Sequence, residues 1–516
     1  MKITRLIMPL AMSAFVLLAS CSKKEDTSPT LANATATSAT PTTMVASSSS
    51  TYQFSAPAGT DVTVALQQAL NKYKVVQINN SYIISNSLTI PSGVTLTAGG
   101  QNNAILKAAN TCSGLLASRG IYINLSNQNS VNIWGIQFQP ADNMVDESTY
   151  ANTVILLSNS SGCNIYGNNF SFSFAYNKGM AAVWITGPSK NNTIANNYIK
   201  TLGITYCENG ASNNIVQYNQ LVNSSSNALG GIGNGTSPCQ NNQVLNNTVQ
   251  GAGRMGIEDQ QNTVGTIISG NKISGTGQSS TSAAGERTGI SAVAQNTVVE
   301  NNIISNAKDY YIEVGGSNSI KVLNNTITDN GSTPGIFVNF LGSSVASASK
   351  LTLVSGNTIT GCSESIEAFG GATTQYLTIS SNNINDAVSH AIDINVGTST
   401  YSSLSILKNN ITFTKSTSTG RYAISTYTNV NSGQQHDALN IENNVFTYNG
   451  TAPKSTGKDV SMLIAIDDVV IGYNTINGYA GGLNSGVISN GAVTTGVSFI
   501  SNTVNLASWN TAQFPQ

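Results

Sequence analysis

The chain has 516 residues, 40% of them hydrophobic, with 47 glycines and only 9% charged residues. That is enough apolar chain for a large core and enough turn-formers for an all-β fold. Its 22 basic residues against 23 acidic ones give a net charge of −1, so no basic surface is available to hold nucleic acid or to draw the chain to an anionic membrane.

Residues 1–20 carry Lys2 and Arg5 and then an apolar run ending in small residues, the pattern of an export signal and too short to span a bilayer. Leu18-Ala19-Ser20-Cys21 resembles a bacterial lipobox, which implies a lipidated Cys21 at the start of the mature chain and lasting membrane attachment through several acyl chains. The following Ser22-Lys23-Lys24-Glu25-Asp26 resembles the export signal of surface lipoproteins of the Bacteroidetes type. It implies an outer-membrane protein facing the medium, with a periplasm-facing protein as the alternative. Without the leader, 20 basic residues remain against 23 acidic, a net charge of about −3. Residues 21–52 otherwise consist mainly of Ser, Thr and Ala and read as a flexible tether. The remaining five cysteines, Cys112, Cys163, Cys207, Cys239 and Cys362, have no metal-type spacing and are expected as small core residues.

From residue 53 a single domain is expected to run to residue 516. Asp61 followed by VTVALQQALN reads as a capped amphipathic helix placed to cover the open end of a core. The stretches YIISNSLTIPSGVTLTAGG and SVNIWGIQFQPA are strand-like. From residue 165 onward the pattern Ile/Val/Phe-x-x-Asn-x-Ile/Val/Leu/Phe recurs thirteen times, with its asparagine at Asn168, Asn197, Asn219, Asn247, Asn271, Asn302, Asn325, Asn357, Asn382, Asn409, Asn444, Asn474 and Asn502. The intervals of 22 to 35 residues do not suit helical repeats of strict length. They suit a coil with fixed strands and variable turns. Asparagines at one turn are expected to stack through their amides and to supply turn conformations.

The helix, the IPSGVTLTAGG stretch and the asparagine repeats together resemble the pectate-lyase-like superfamily. The resemblance implies a right-handed parallel β-helix over about residues 53–510, and it says little about activity.

A second frame precedes most ladder asparagines: Ile204, Ile232, Ile257, Ile290, Ile312, Ile336, Ile366, Ile392 and Ile424. If each isoleucine points inward, period-two alternation sends the next residue outward. Those residues are Thr205, Gly233, Glu258, Ser291, Glu313, Phe337, Glu367, Asp393 and Ser425. Parallel coils stack at about 4.8 Å, which predicts about 5 Å between the backbones of Glu367 and Asp393 and about 10 Å between those of Glu258 and Glu313. Arg254, Tyr311 and Asp309 are expected on the same face, with Arg287 and Lys308 beside it. The insertions 274–289 and 340–353 are expected to wall it.

These residue types allow two chemistries. A polysaccharide lyase would use Arg254, Arg287, Lys308 and Tyr311 to neutralise a uronate and move protons, with a carboxylate-bound Ca2+ as one further neutralising group. A glycoside hydrolase would use a carboxyl pair, Glu258 with Glu313 or Glu367 with Asp393. Trp184 and Phe337 are candidate sugar-binding surfaces. A neighbouring cation or a shared proton is expected at Glu367 and Asp393, with His390 close by. Asp467-Asp468 lacks the Gly-His-Gly and Arg-Ile-Lys followers of polygalacturonases. The Asp-Pro-His-Asp motif of alginate epimerases and the glycine-aspartate nonapeptides of calcium-binding β-rolls do not occur. The other class left open is a non-catalytic rod that binds glycans or mediates adhesion. In either case the expected partner is a polysaccharide, met by a monomer.

Overall fold

The computed structural model describes residues 51–505 apart from 100–103, 143–152, 173–180, 233–236, 281, 316–317, 341–350, 371–374, 398–400, 415–420, 429–438, 450–459, 465–468, 478–486 and 490–497. Cys21, the leader, most of the tether, Gly233, the middle of the second insertion, His436-Asp437 and Asp467-Asp468 lie outside the described residues.

Short strands alternate with turns, and the described strands gather into three long sheets of 17, 15 and 16 strands plus one two-stranded pair. Each turn of chain adds one strand to each long sheet, as in Ala181–Thr186, Thr193–Ala195 and Tyr198–Lys200. Each of these strands pairs in parallel with its equivalent in the next coil, Gly203–Glu208, Ile215–Gln217 and Gln220–Ser224. The fold is a right-handed parallel β-helix.

Inward positions are aliphatic and stack from coil to coil. On one sheet Ile165, Ile194, Val216, Val244, Ile268, Val299 and Val322 follow one another in register, all without solvent exposure. Each such side chain contributes about 2 kcal/mol through burial, and β-branched residues fit the pleated inner surface. Before the repeats, a helix over Thr63–Lys72 buries Leu66, Ala69 and Leu70. Asp61 stands one residue before the helix cap, Val62, and its carboxylate accepts the Thr63 N–H at 3.0 Å.

The thirteen repeat asparagines form one continuous ladder, from Asn168 to Asn197 at 3.1 Å through to Asn474 and Asn502 at 3.0 Å. Asn325 shows the unit. Its N–H and one Nδ2 hydrogen both go to Asn357 Oδ1, at 2.9 and 3.0 Å, and Nδ2 also donates to Val299 O at 2.9 Å. Its own Oδ1 accepts two bonds from Asn302. Every polar atom of the side chain is therefore matched, and burial carries no unpaired-group penalty.

The expected turn role belongs elsewhere. The left-handed backbone lies in the residue before each ladder position, such as Asn196, Tyr218, Asn246, Asn301 and Asn324, with φ between 54° and 56°. The ladder asparagine itself points inward. A shorter, buried ladder of Asn192, Asn214 and Asn242 lines another turn.

Candidate functional site

Along the 15-stranded sheet the outward alternation places the frame residues in one line. Trp184, Thr205, Gly230, Glu258, Ser291, Glu313, Phe337, Glu367, Asp393 and Ser425 occupy successive positions of one outward column. The expected frame slips at one coil. Leu229, rather than Ile232, is in register with Ile257, so Gly230 takes the column position expected for Gly233. Ile232 lies three residues further along the strand, in register with Glu208 beyond a bulge between Thr205 and Cys207.

Glu258 and Glu313 stand on either side of Ser291. Glu258 is only 8% exposed. Its Oε2 accepts from Asn227 Nδ2 and its Oε1 from Gln260 Nε2 at 3.0 Å. Ser291 Oγ donates to Glu313 Oε2 at 3.0 Å. Burial pushes the Glu313 carboxyl above the ordinary glutamate range. Hydrogen bonds from Ser291 and Asn339 work the other way, and the charges of Glu258 and Asp309 add to the rise.

The next column position, Phe337, is 7% exposed and lies against Tyr310, with ring centroids 4.4 Å apart and planes within 10°. It is covered by another ring rather than offered to solvent. Trp184 lies three coils before Glu258, and its indole N–H donates to Glu208 Oε2 at 2.8 Å.

Further along, Glu367 pairs in register with Asp393 and Glu364 with His390. Burial raises the Asp393 carboxyl above the ordinary aspartate range, opposed by the charge of His390 and a hydrogen bond from Ser425, and assisted by Glu364. His390 thus acts on the Asp393 member of this pair. It is a strand residue stacked on Tyr422 at 5.1 Å, with Nδ1 3.0 Å from Ser389 Oγ.

The residues chosen for a lyase are placed differently from expectation. Tyr311 does not face outward: it has no exposure, and its hydroxyl donates to Asp329 Oδ1 at 2.8 Å. Burial, followed by the Asp329 bond and charge, pushes the phenol well above its usual range. The strand begins only at Ile312, so period-two alternation does not reach back to Tyr311. Arg254 is ion-paired with Glu286 at 3.2 Å and Arg287 with Asp309 at 2.7 Å. Both pairs pin the 274–289 insertion. Asp309 also accepts the Gly285 and Arg287 N–H groups, and Gly277 and Ser279 donate to the Arg254 and Gly253 carbonyls. Lys308 is exposed.

The two insertions connect to strands of the column at opposite ends, the first before Ile290 and the second after Asn339. One joins Lys272–Ser274 to Ile290–Ala292, and the other joins Ile336–Asn339 to Thr352–Ser355. Among the described residues no group of three or more His, Cys, Asp or Glu side chains is placed to hold a metal ion. No helix there is long and apolar enough to cross a membrane. Cys112, Cys163, Cys207, Cys239 and Cys362 are free thiols.

Several contributors escaped sequence reasoning. Asn227 and Gln260 orient Glu258, and Tyr310 covers Phe337. Asp259, the neighbour of Glu258, points into the core, which its alternation with Ile257 and Glu258 already signalled.

The sequence model of the right handed beta helix region matches residues 278–432. No curated protein matches the chain. Among solved structures, PfbA, a surface adhesin of Streptococcus pneumoniae, is similar at 16% identity and a TM-score of 0.45 over 69% of this chain and 92% of that one. The catalytic domain of a GH87 alpha-1,3-glucanase in complex with nigerose is similar at 14% identity and a TM-score of 0.40, over 90% of this chain and 69% of the other. A tailspike protein of E. coli bacteriophage HK620, in complex with a pentasaccharide, is similar at 14% and 0.40, over 81% and 71%. A glucanase, a tailspike protein and an adhesin thus stand side by side in this comparison.

Proposed function

We propose that this protein is a glycoside hydrolase acting on a neutral polysaccharide along the 15-stranded sheet, with inversion at the anomeric carbon. The observation that carries this reading is the pair Glu258 and Glu313, two outward carboxyls separated by the single strand that bears Ser291. Two strand spacings amount to about 9.6 Å at the backbone, next to the roughly 6.5–9.5 Å between carboxyls that admits a water for inversion. Glu313, kept protonated to higher pH by burial, is the acid for the departing glycosidic oxygen. Glu258, with both oxygens held as acceptors, takes the proton from the attacking water on the opposite face of the sugar ring.

A lyase reading has less support. Arg254 and Arg287 are committed to Glu286 and Asp309, and the Tyr311 hydroxyl is bound to Asp329 in the interior. A polyuronate would also meet a column that carries carboxyls at Glu258, Glu313, Glu367 and Asp393 and no basic side chain.

Incubating the protein with neutral and uronate-containing polysaccharides, with calcium and then with a chelator, tests the reading. Reducing ends released without absorbance near 232 nm, the expected band of an unsaturated uronate, together with an inverted anomer seen first by NMR, support it. Absorbance rising with reducing ends would replace it with β-elimination. Binding without any product would make the column a glycan-binding or adhesive surface.

We infer further that Cys21 is lipidated and holds the protein on the outer membrane, facing the medium. The Cys21→Ser protein should be released into the soluble fraction. Resistance of the wild-type protein to protease added to intact cells would place it on the periplasmic side.

A further inference from the structure

Among the described residues the core holds a feature that an aliphatic β-helix does not need. Asp259 lies between Gly231 and Ala292 in an inward column and is wholly buried. Its Oδ1 accepts hydroxyl hydrogens from Tyr206 at 3.0 Å, Thr263 at 2.8 Å and Thr266 at 3.1 Å. Its Oδ2 accepts from Thr297 at 2.9 Å. A buried carboxylate without a cation is costly even when it is well hydrogen-bonded, and a valine or alanine serves at equivalent positions in later coils, such as Val314, Val338 and Ala368.

The network is built across coils. Tyr206 is two coils before Asp259, and its phenol reaches past the intervening strand at Gly231, where a Cβ would come within 2.5 Å of the Tyr206 oxygen. The same hydroxyl lies 3.2 Å from the carbonyl oxygen of Glu258. The strand Ile257–Asp259 is therefore gripped from inside at the residue whose side chain faces out as Glu258.

We propose that Asp259, together with Tyr206 and the room left by Gly231, is a positioning network that fixes Glu258 in its place opposite Glu313. The proposal rests on the hydrolase reading given above. Asp259 and Tyr206 touch no substrate; they act through the backbone of Glu258. A site that divides a reaction between two carboxyls on separate coils depends on their separation, and a displacement of about 1 Å can lower turnover about a hundredfold. A carboxyl bonded to several hydroxyls specifies one strand position more sharply than interchangeable aliphatic contacts do.

The test uses Tyr206→Phe, which deletes one oxygen, and Gly231→Ala, which removes no hydrogen-bonding group but intrudes on the phenol. Asp259→Asn is a harsher third variant. Steady-state hydrolysis is measured at least 15 °C below each variant's Tm, alongside crystal structures of the variants that fold. The expected result is a tenfold or greater fall in kcat with KM within twofold of wild type, and a displaced Glu258 in the variant structures. An unchanged kcat with only a lower Tm in Tyr206→Phe and Gly231→Ala would overturn the positioning role while leaving the hydrolase reading intact. A wild-type protein that hydrolyses nothing would overturn the hydrolase reading and the catalytic purpose of the network together. The variant structures would then report separately whether the anchor holds Glu258. An unmoved Glu258 would overturn the anchor as well.

Discussion

The asparagine ladder and the outward column run along the same coils and obey opposite rules. In the ladder the same side chain returns at every coil from Asn168 to Asn502 and bonds to its own kind. In the column almost every coil carries a different residue, with glycine, glutamate, serine, glutamate and phenylalanine in successive register. A solenoid can vary one face freely because another face repeats. The ladder and the aliphatic stacks hold the coils in register, so the column can hold groups that contribute little to stability, such as the half-sequestered carboxyl of Glu313.

The sharpest way to test this division is to alter each side and read both activity and stability. Glu313→Gln should lower kcat about a thousandfold, the order of a lost general acid, or about 4 kcal/mol in transition-state stabilisation. Its Tm should hold or rise, because a buried ionisable group is replaced by a neutral one. Reducing-end assays and calorimetry on the same preparation check both halves, and a large fall in Tm would mean that the column helps to hold the coils together. Asn325→Leu should do the reverse. It strips Asn302 of a shared acceptor and leaves Val299 O and Asn357 Oδ1 short of their donors, at about 3 kcal/mol for orphaned buried groups. Urea titration should show that loss, while kcat well below Tm should remain near wild type.

The two regions were also unequally legible. The ladder and the coil count along it were readable because one residue, flanked by aliphatics, recurs. Glu258, Ser291, Glu313, Phe337, Glu367 and Asp393 were placed in one column by alternation alone, since period two is enforced within a strand. Legibility ended where strands end. Tyr311 precedes its strand and turned inward, and Leu229-Gly230-Gly231-Ile232 offers two apolar residues, of which Leu229 is the one in register with Ile204 and Ile257. Partner choice was not readable either. Whether Arg254 meets a substrate or Glu286 depends on how residues 274–289 fold back, and no periodicity encodes that path.

The same insertion provides a smaller test. Arg287 and Asp309 are linked through three side-chain contacts of 2.7 to 3.1 Å, but the arginine is one-third exposed, where ion pairs contribute about 1 kcal/mol or less. Arg287→Ala should therefore leave Tm almost unchanged and raise proteolysis within 274–289. A loss of several kcal/mol would show that the insertion belongs to the coil stack and is not simply attached to the column's edge.

The finest test moves a pH limb without touching either acid. The Ser291 hydroxyl donates to Glu313 Oε2, which favours the charged carboxylate, while burial favours the protonated one and prevails. Ser291→Ala removes the opposing influence, so the Glu313 pKa should rise further and the acid should keep its proton to higher pH. A general acid is active only while protonated, so the alkaline limb of kcat/KM should move upward, by about one pH unit for a bond to a charged group worth roughly 1.5 kcal/mol. If the limb stays where it is, it belongs to another group and Glu313 is not the proton donor. If it moves downward, the serine holds the carboxyl in its protonated form, and the balance of burial against hydrogen bonding inferred for this position is reversed.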